Sequence, residues 1–213
     1  ELRAVIASKG VLRWIIETRG KAAHSSKPHL GINAIQHMRR VLEALEADEA
    51  RLATLTHPLV GQATCNVGVI RGGVQVNFVP HSCEIELDRR LLPGESAEAV
   101  LAGYGELLKT IPGIDARNVE PPLLADEALD TPPESTVAVV ASKTLAAMGL
   151  NGELCGVPYG SDASKLSRAG IPSIVFGPGS IDQAHAADEY IETDQVLLAL
   201  DFYRQFVLNY PPA

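Results

Sequence analysis

No stretch of this 213-residue chain approaches the roughly 20 consecutive apolar residues that cross a bilayer. The first residues also lack the basic-then-apolar layout of a secretory leader. A cytoplasmic protein with no membrane partner is expected. Basic residues are the minority charge, 18 Lys and Arg against 26 Asp and Glu, for a formal net charge of -8. They cluster only in short pairs such as Arg39-Arg40 and Arg89-Arg90, which argues against a nucleic-acid surface. Cysteine is scarce: Cys65, Cys83 and Cys155 are an odd number with no Cys-x-x-Cys spacing. That excludes a disulfide framework and a structural zinc cage, and leaves buried reduced thiols. Internal repeats, low-complexity tracts, a phosphate loop and a Ser-His-Asp order are all missing.

What remains is an ordinary globular composition, 46% hydrophobic and 21% charged. The chain opens without methionine, Glu1-Leu2-Arg3-Ala4-Val5-Ile6, already in the pattern of a strand. It reads as an interior start with further chain upstream. Leu12, Trp14, Ile16 and Thr18 then alternate with Arg13, Ile15, Glu17 and Arg19 between Gly10 and Gly20, the period of a half-buried strand. Ile32, Ile35, Met38, Leu42 and Leu45 recur at helical spacing and predict a helix over Asn33 to Ala47. Thr64 to Ile70 and Val74 to Val79 flank Arg71-Gly72-Gly73 and predict a hairpin. A strand over Cys83 to Leu92 places Cys83, Ile85 and Leu87 on one face and Glu84, Glu86, Asp88 and Arg90 on the other. A helix over Ala97 to Leu108 and a last short strand, Ile114 to Val119, precede Pro121-Pro122. The order β-α-β-β-α-β is the ferredoxin-like arrangement, an antiparallel sheet with two helices on one face.

After the prolines the rhythm changes. A helix from Glu134 to Met148, a strand from Glu153 to Val157, a short helix after Ser161-Asp162, a strand Ser173 to Phe176 and a helix from Asp194 to Val207 predict a mainly parallel sheet. Two strands alone are marginal, so this segment reads as part of a larger α/β domain. The fold class is therefore α/β: a ferredoxin-like α+β domain over residues 10–119, with 1–9 and 120–213 belonging to a larger α/β domain.

Three stretches carry candidate chemistry. In Phe176-Gly-Pro-Gly-Ser-Ile-Asp-Gln-Ala-His185, an apolar segment runs into a loop where Gly177 and Gly179 let the backbone approach a ligand. His185 follows as a ligand or a solvated histidine, with Glu189 four residues on as an orienting carboxylate or a surface acid. In Gly20-Lys-Ala-Ala-His24-Ser-Ser-Lys-Pro28, the histidine stands in a loop before a helix, as a cap or as a donor. In Asn77 to Arg90, Asn77 is a turn residue or a carbonyl-contacting amide, and Arg90 either pairs with an acid on its own strand face or binds a carboxylate. Gly160-Ser161-Asp162 begins a helix after a strand, for which a Ser or Asp cap is explanation enough.

Read together, Gly20 to Ile35, Asn77 to Arg90 and Gly177 to Tyr190 resemble the M20-type dinuclear-zinc peptidases and N-deacylases, and the acetylornithine deacetylase branch most of all. The resemblance makes residues 10–119 a lid (dimerisation) domain and 1–9 with 120–213 part of a zinc-peptidase-like catalytic domain, and it implies a homodimer joined through the lid. It makes His24 a catalytic oxyanion donor reaching a second subunit, Asn77 and Arg90 substrate contacts, and Gly160, Ser161, Gly177 and Gly179 the substrate-binding turns. His185 becomes a ligand to one of two Zn2+ ions, or Co2+ in their place. The implied substrate is a small N-acyl amino acid, N-acetylornithine first, with succinyl-diaminopimelate desuccinylase, aminoacylase and dipeptidase as alternatives. The bridging aspartate, the general-base glutamate and the other ligands of that family have no counterpart here, so this chain by itself is expected to be inactive. A non-catalytic dimerisation module is the reading from a different class.

Overall fold

A computed structural model describes residues 2–184 and 187–212. In chain order the first half holds β1 (Val5–Ser8), β2 (Gly10–Arg19), α1 (Ala34–Thr54), β3 (Thr56–His57), β4 (Gly61–Gln62), β5 (Thr64–Gly72), β6 (Ser82–Leu91) and α2 (Ala97–Lys109). The second half holds β7 (Asp115–Asp126), β8 (Leu129–Asp130), α3 (Thr136–Ala147), β9 (Cys155–Val157), α4 (Ala163–Arg168) and α5 (Thr193–Asn209). The chain divides into two compact units, residues 9–128 and residues 1–8 with 129–213.

The 9–128 unit is built on a four-stranded sheet in the order β5-β6-β2-β7, every neighbouring pair antiparallel. This is the ferredoxin-like arrangement. The alternation in β2 is realised as expected: Leu12, Trp14, Ile16 and Thr18 are buried, and Arg13 and Arg19 face water. Met38, Val41 and Leu45 of α1 and Leu101, Tyr104 and Leu108 of α2 cover that apolar face together with Ile85 and Leu87 of β6. Trp14 anchors the core by packing against Tyr104 at a ring separation of 4.9 Å and donating from Nε1 to Asn118 Oδ1 at 3.1 Å. Asn118 in turn donates to the Leu101 carbonyl at 2.9 Å, so one buried amide joins β2, β7 and α2.

Three expectations for this unit are corrected. The helix α1, capped by Asn33 Oδ1 accepting from the Ile35 and Gln36 amides, runs on to Thr54 past Ala47. The Glu46 to Arg51 stretch is made of good helix formers, and Leu52, one heptad after Leu45, is buried. Val74 to Val79 is not the second hairpin strand. Val76 is fully exposed, β5 pairs with β6, and residues 73–81 are the connection between them. Finally β7 does not stop before Pro121. It lies at the sheet edge, where missing N–H groups cost no ladder bond, and the register shift between Arg13 and Ile15 absorbs the two prolines.

A buried ion pair was also not foreseen. Arg89, 1% exposed, lies on the apolar face of β6, where its Nη2 donates to Glu95 Oε1 at 2.8 Å. Glu95 Oε2 accepts from the Leu92 amide at 2.7 Å, so the Pro93-Gly94-Glu95 turn folds back to neutralise the charge. A buried charge is tolerated only when paired in this way.

In the other unit β1 is the centre of a three-stranded sheet, β8-β1-β9. β9 runs parallel to β1 and β8 antiparallel. The expected strand Ser173 to Phe176 is reduced to one bridge, Val175 with Val5, and it is antiparallel. The mainly parallel sheet is thus corrected to a mixed one: the strand-like residues Ile174 and Phe176 serve packing rather than pairing. They sit against Ala4, Ala141, Leu145 and Phe202, and the Phe176 and Phe202 rings stack at 3.8 Å.

On the open face of the lid sheet Glu17, with a side chain 13% exposed, accepts from Arg117 at 2.8 Å and from Arg19 at 3.1 Å. Burial pushes its carboxyl upward, and the hydrogen bonds and charges of Arg117 and Arg19 outweigh that, holding it below its ordinary value of 4.5. A depressed carboxylate adds stability above the unfolded-state value and loses it as pH falls through the folded one. Because both arginines are about half exposed, the Glu17→Gln substitution should cost only about 0.5–1 kcal/mol in urea unfolding at pH 7. The deficit should vanish at acid pH below the carboxylate range; a deficit that persists there would contradict the ion-pair account.

Candidate functional site

The residues singled out by the sequence fall into three places. At the end of β2 the backbone closes a loop: Gly20 N donates to His81 O at 2.9 Å, and Lys21 and Ile32 exchange hydrogen bonds of 2.8 and 2.9 Å. A Cβ on Gly20 would lie 2.1 Å from the Ile32 carbonyl oxygen, so only glycine permits this closure. Residues 77–79 leave the sheet and lie along residues 23–25, with Ser25 N to Asn77 O at 3.0 Å and Val79 N to Ala23 O at 2.8 Å. His24 forms a bridge with Phe78. The structure thus places His24 and Asn77 on paired, solvent-exposed segments, His24 opposite Phe78 and Asn77 opposite Ser25.

The ring of His24 is oriented locally. Its Nδ1 accepts from the Ser26 backbone amide at 3.2 Å and lies 2.8 Å from Ser26 Oγ. A backbone N–H can only donate, so Nδ1 is the acceptor and the proton of the neutral ring sits on Nε2. The exposed edge of His24 is therefore a hydrogen-bond donor. Around it, Leu30, Ile32, Val74, Val76 and Phe78 expose apolar side chains on the same two loops.

Arg90 is elsewhere. Its Nε and Nη2 donate to Asp88 Oδ1 and Oδ2 at 2.7 and 3.2 Å, and Asp88 also receives Arg13 Nε at 2.7 Å. It pairs across the sheet with Val11, whereas Ser82, at the loop end of β6, pairs with Arg19. Eight residues of strand between Ser82 and Arg90 amount to about 26 Å, so within one chain Arg90 is not brought to His24.

In the 1–8 and 129–213 unit, Gly177 and Gly179 line a cavity of about 560 Å3 together with Arg3, Tyr159, Glu189 and Tyr190. Gly179 has φ +88, a left-handed conformation that favours glycine, and its N–H donates to Gln195 Oε1 at 2.9 Å. Gly160 and Ser161 follow Tyr159 and do not line the cavity. Ser161 Oγ is buried with no hydrogen-bond partner among the described residues. Asp162, at the N-cap of α4, makes no side-chain cap and instead pairs with Lys165 at 2.9 Å. His185 lies outside the described residues. Among those described, no three His, Cys, Asp or Glu side chains converge, so they do not by themselves fit a two-zinc centre. Cys65, Cys83 and Cys155 form no disulfide among the described residues, Cys83 and Cys155 are buried, and no helix of the described chain is long and apolar enough to cross a membrane. Arg3 was missed in the sequence, where it reads only as part of a strand's lead-in.

The description of the peptidase dimerisation domain of M20 proteins matches residues 6–115, more than half of the chain. The chain belongs to the M20 peptidase dimerisation-domain family. Over 90% of its length it is 33% identical to an acetylornithine deacetylase of Pectobacterium carotovorum, and over 95% it is 32% identical to one of Vibrio vulnificus. It covers 50% and 53% of those proteins, about half the length of the curated relatives it matches. Among solved structures it resembles aminopeptidase PepT from Bacillus cereus, with TM-score 0.75 and 23% identity over 97% of this chain and 53% of that one. It also resembles an M20 family metallo-carboxypeptidase from Sulfolobus solfataricus, with TM-score 0.71 and 20% identity over 98% and 60%. At those identities the likeness is one of fold.

Nitrogen-15 shifts of the neutral His24 ring should report the Nε2–H tautomer. A predominant Nδ1–H form would contradict the Ser26 contact and the donor role of the exposed edge.

Proposed function

We propose that the protein carrying this chain hydrolyses the amide of a small N-acylated amino acid, N-acetylornithine in the first place, as a homodimer joined through the lid. The observation that carries the reading is the pairing of the His24 and Asn77 segments, with a donor edge of His24 turned to solvent. Attack on an acyl carbonyl develops negative charge on its oxygen, and a preformed N–H donor aimed at that oxygen is worth a few kcal/mol of barrier. His24 Nε2–H and the Asn77 amide are such donors. Relatives named acetylornithine deacetylase at 32–33% identity support the acyl amino acid as substrate.

The donors stand on an exposed face, far along the sheet from Arg90, and a rim of Ile32, Val76 and Phe78 surrounds them. A second copy docking on that rim would cover the apolar surface and carry His24 into its site. The neighbouring edge strand β5 offers unpaired backbone groups for the same contact. Arg90 would hold the substrate carboxylate by exchanging it for Asp88, while Gly160, Ser161, Gly177 and Gly179 would give the substrate close backbone approach. The catalytic ions are assigned as Zn2+, with Co2+ as a substitute, and His185 as the residue of this chain that would ligate one; a bound divalent ion supplies Lewis-acid polarisation of the carbonyl. The part assigned to the described residues is binding and positioning. A cytoplasmic location accompanies the reading, consistent with cysteines that form no disulfide among the described residues.

The test is acetate release by the full-length protein from N-acetylornithine, compared with N-succinyl-diaminopimelate and a dipeptide panel. N-acetylornithine should be turned over fastest, and the His24→Ala variant should lose roughly 100- to 1000-fold in kcat while remaining folded and dimeric. Preference for a dipeptide would transfer the reading to a peptidase on the same scaffold. Absence of turnover on every substrate would favour a dimerisation module.

A further inference from the structure

Two arginines of this chain present forks suited to a carboxylate, and the structure treats them differently. Arg90 has both carboxylate oxygens of Asp88 on its guanidinium, and Asp88 is itself shared with Arg13. Arg3 has no partner of this kind among the described residues. Its Nε is buried with nothing to accept its proton, and its side chain lines the 560 Å3 cavity that Gly177 and Gly179 also line. Leaving a buried charged donor unsatisfied costs more than a typical hydrogen bond returns, so the position calls for an acceptor. Among the described residues Arg3 is the only arginine or lysine on the cavity wall, where Val5, Val157, Pro158 and Phe176 supply an apolar surround.

We infer that Arg3 is a carboxylate-binding residue of this cavity and sets its preference for acyl amino acids with a free carboxylate. A guanidinium binds a carboxylate through two parallel N–H···O contacts, which fixes the orientation of the bound molecule as well as its charge. The Gly177-Pro178-Gly179 loop then lies beside the bound group without a Cβ to intrude. The inference rests on the acyl amino acid reading only for the identity of the carboxylate, and its test separates the two.

The experiment is titration of the full-length protein with N-acetylornithine and with its α-carboxamide, following the Arg3 Nε–H resonance and the dissociation constant. The carboxylate probe should shift that resonance. Arg3→Gln should weaken its binding roughly 10- to 100-fold, with Arg3→Lys recovering part of the loss, and the carboxamide should bind wild type and Arg3→Gln alike. Equal binding of N-acetylornithine to wild type and Arg3→Gln, or an unmoved resonance at saturation, would overturn the inference and leave the deacylase reading standing. If no acetate is released but an N-succinyl amino acid or a dipeptide binds in an Arg3-dependent way, the deacetylase reading fails and the inference holds.

Discussion

The arrangement of the lid depends on one backbone pairing, that of residues 77–79 with residues 23–25. A chain leaving β5 at Gly72 could have turned straight back as a tight hairpin. It instead spends nine residues, 73–81, before rejoining the sheet at Ser82, and uses Asn77 O and Val79 N to bind the loop that follows β2. Those hydrogen bonds satisfy polar groups that an irregular segment would otherwise leave to water. They also set the segment that carries His24 beside the one that carries Asn77. The cost is a set of apolar side chains, Val74, Val76 and Phe78, that the lid cannot bury by itself, and this is the feature that most directly favours a second copy.

The same sheet separates its two kinds of charge. The open face carries acids and arginines in cross-strand pairs, Arg13 with Asp88 and Glu17 with Arg117, which hold each other at modest gain in stability. The covered face carries one arginine, Arg89, and it is kept there by Glu95. The Arg90 fork is thus occupied by Asp88, whereas Arg3 Nε in the other unit has no acceptor among the described residues.

Much of this was legible in the sequence because it is periodic. The alternation from Leu12 to Thr18 gave β2 its buried face, the Ile35 to Leu45 spacing gave α1 its core side, and the strand and helix order identified the ferredoxin-like lid. The failures occur where pattern and pairing part company. Val74 to Val79 has β-like composition, yet its hydrogen bonds go to a loop some fifty residues earlier in the sequence, about which local composition is silent. Pro121 and Pro122 read as a stop, but an edge strand tolerates them. Ser173 to Phe176 is apolar for packing against Phe202 and makes a single bridge. Arg89 looked like half of a surface pair because its counter-charge comes from a turn. For the site, His24 and Asn77 were singled out through motif resemblance, and the pairing of their segments required the fold. Arg3 carries no motif and became visible only through the cavity and its unpaired nitrogen.

The central claim is that His24 and Asn77 act as one donor pair on a substrate carbonyl. A double-mutant cycle on the full-length protein, with His24→Ala, Asn77→Ala and both, measures it through kcat/KM for N-acetylornithine. The account predicts strong non-additivity, with the double variant losing less than the two single losses combined by about 1 kcal/mol or more. Strictly additive losses would mean that the two residues act independently and that their pairing in the lid has no catalytic consequence.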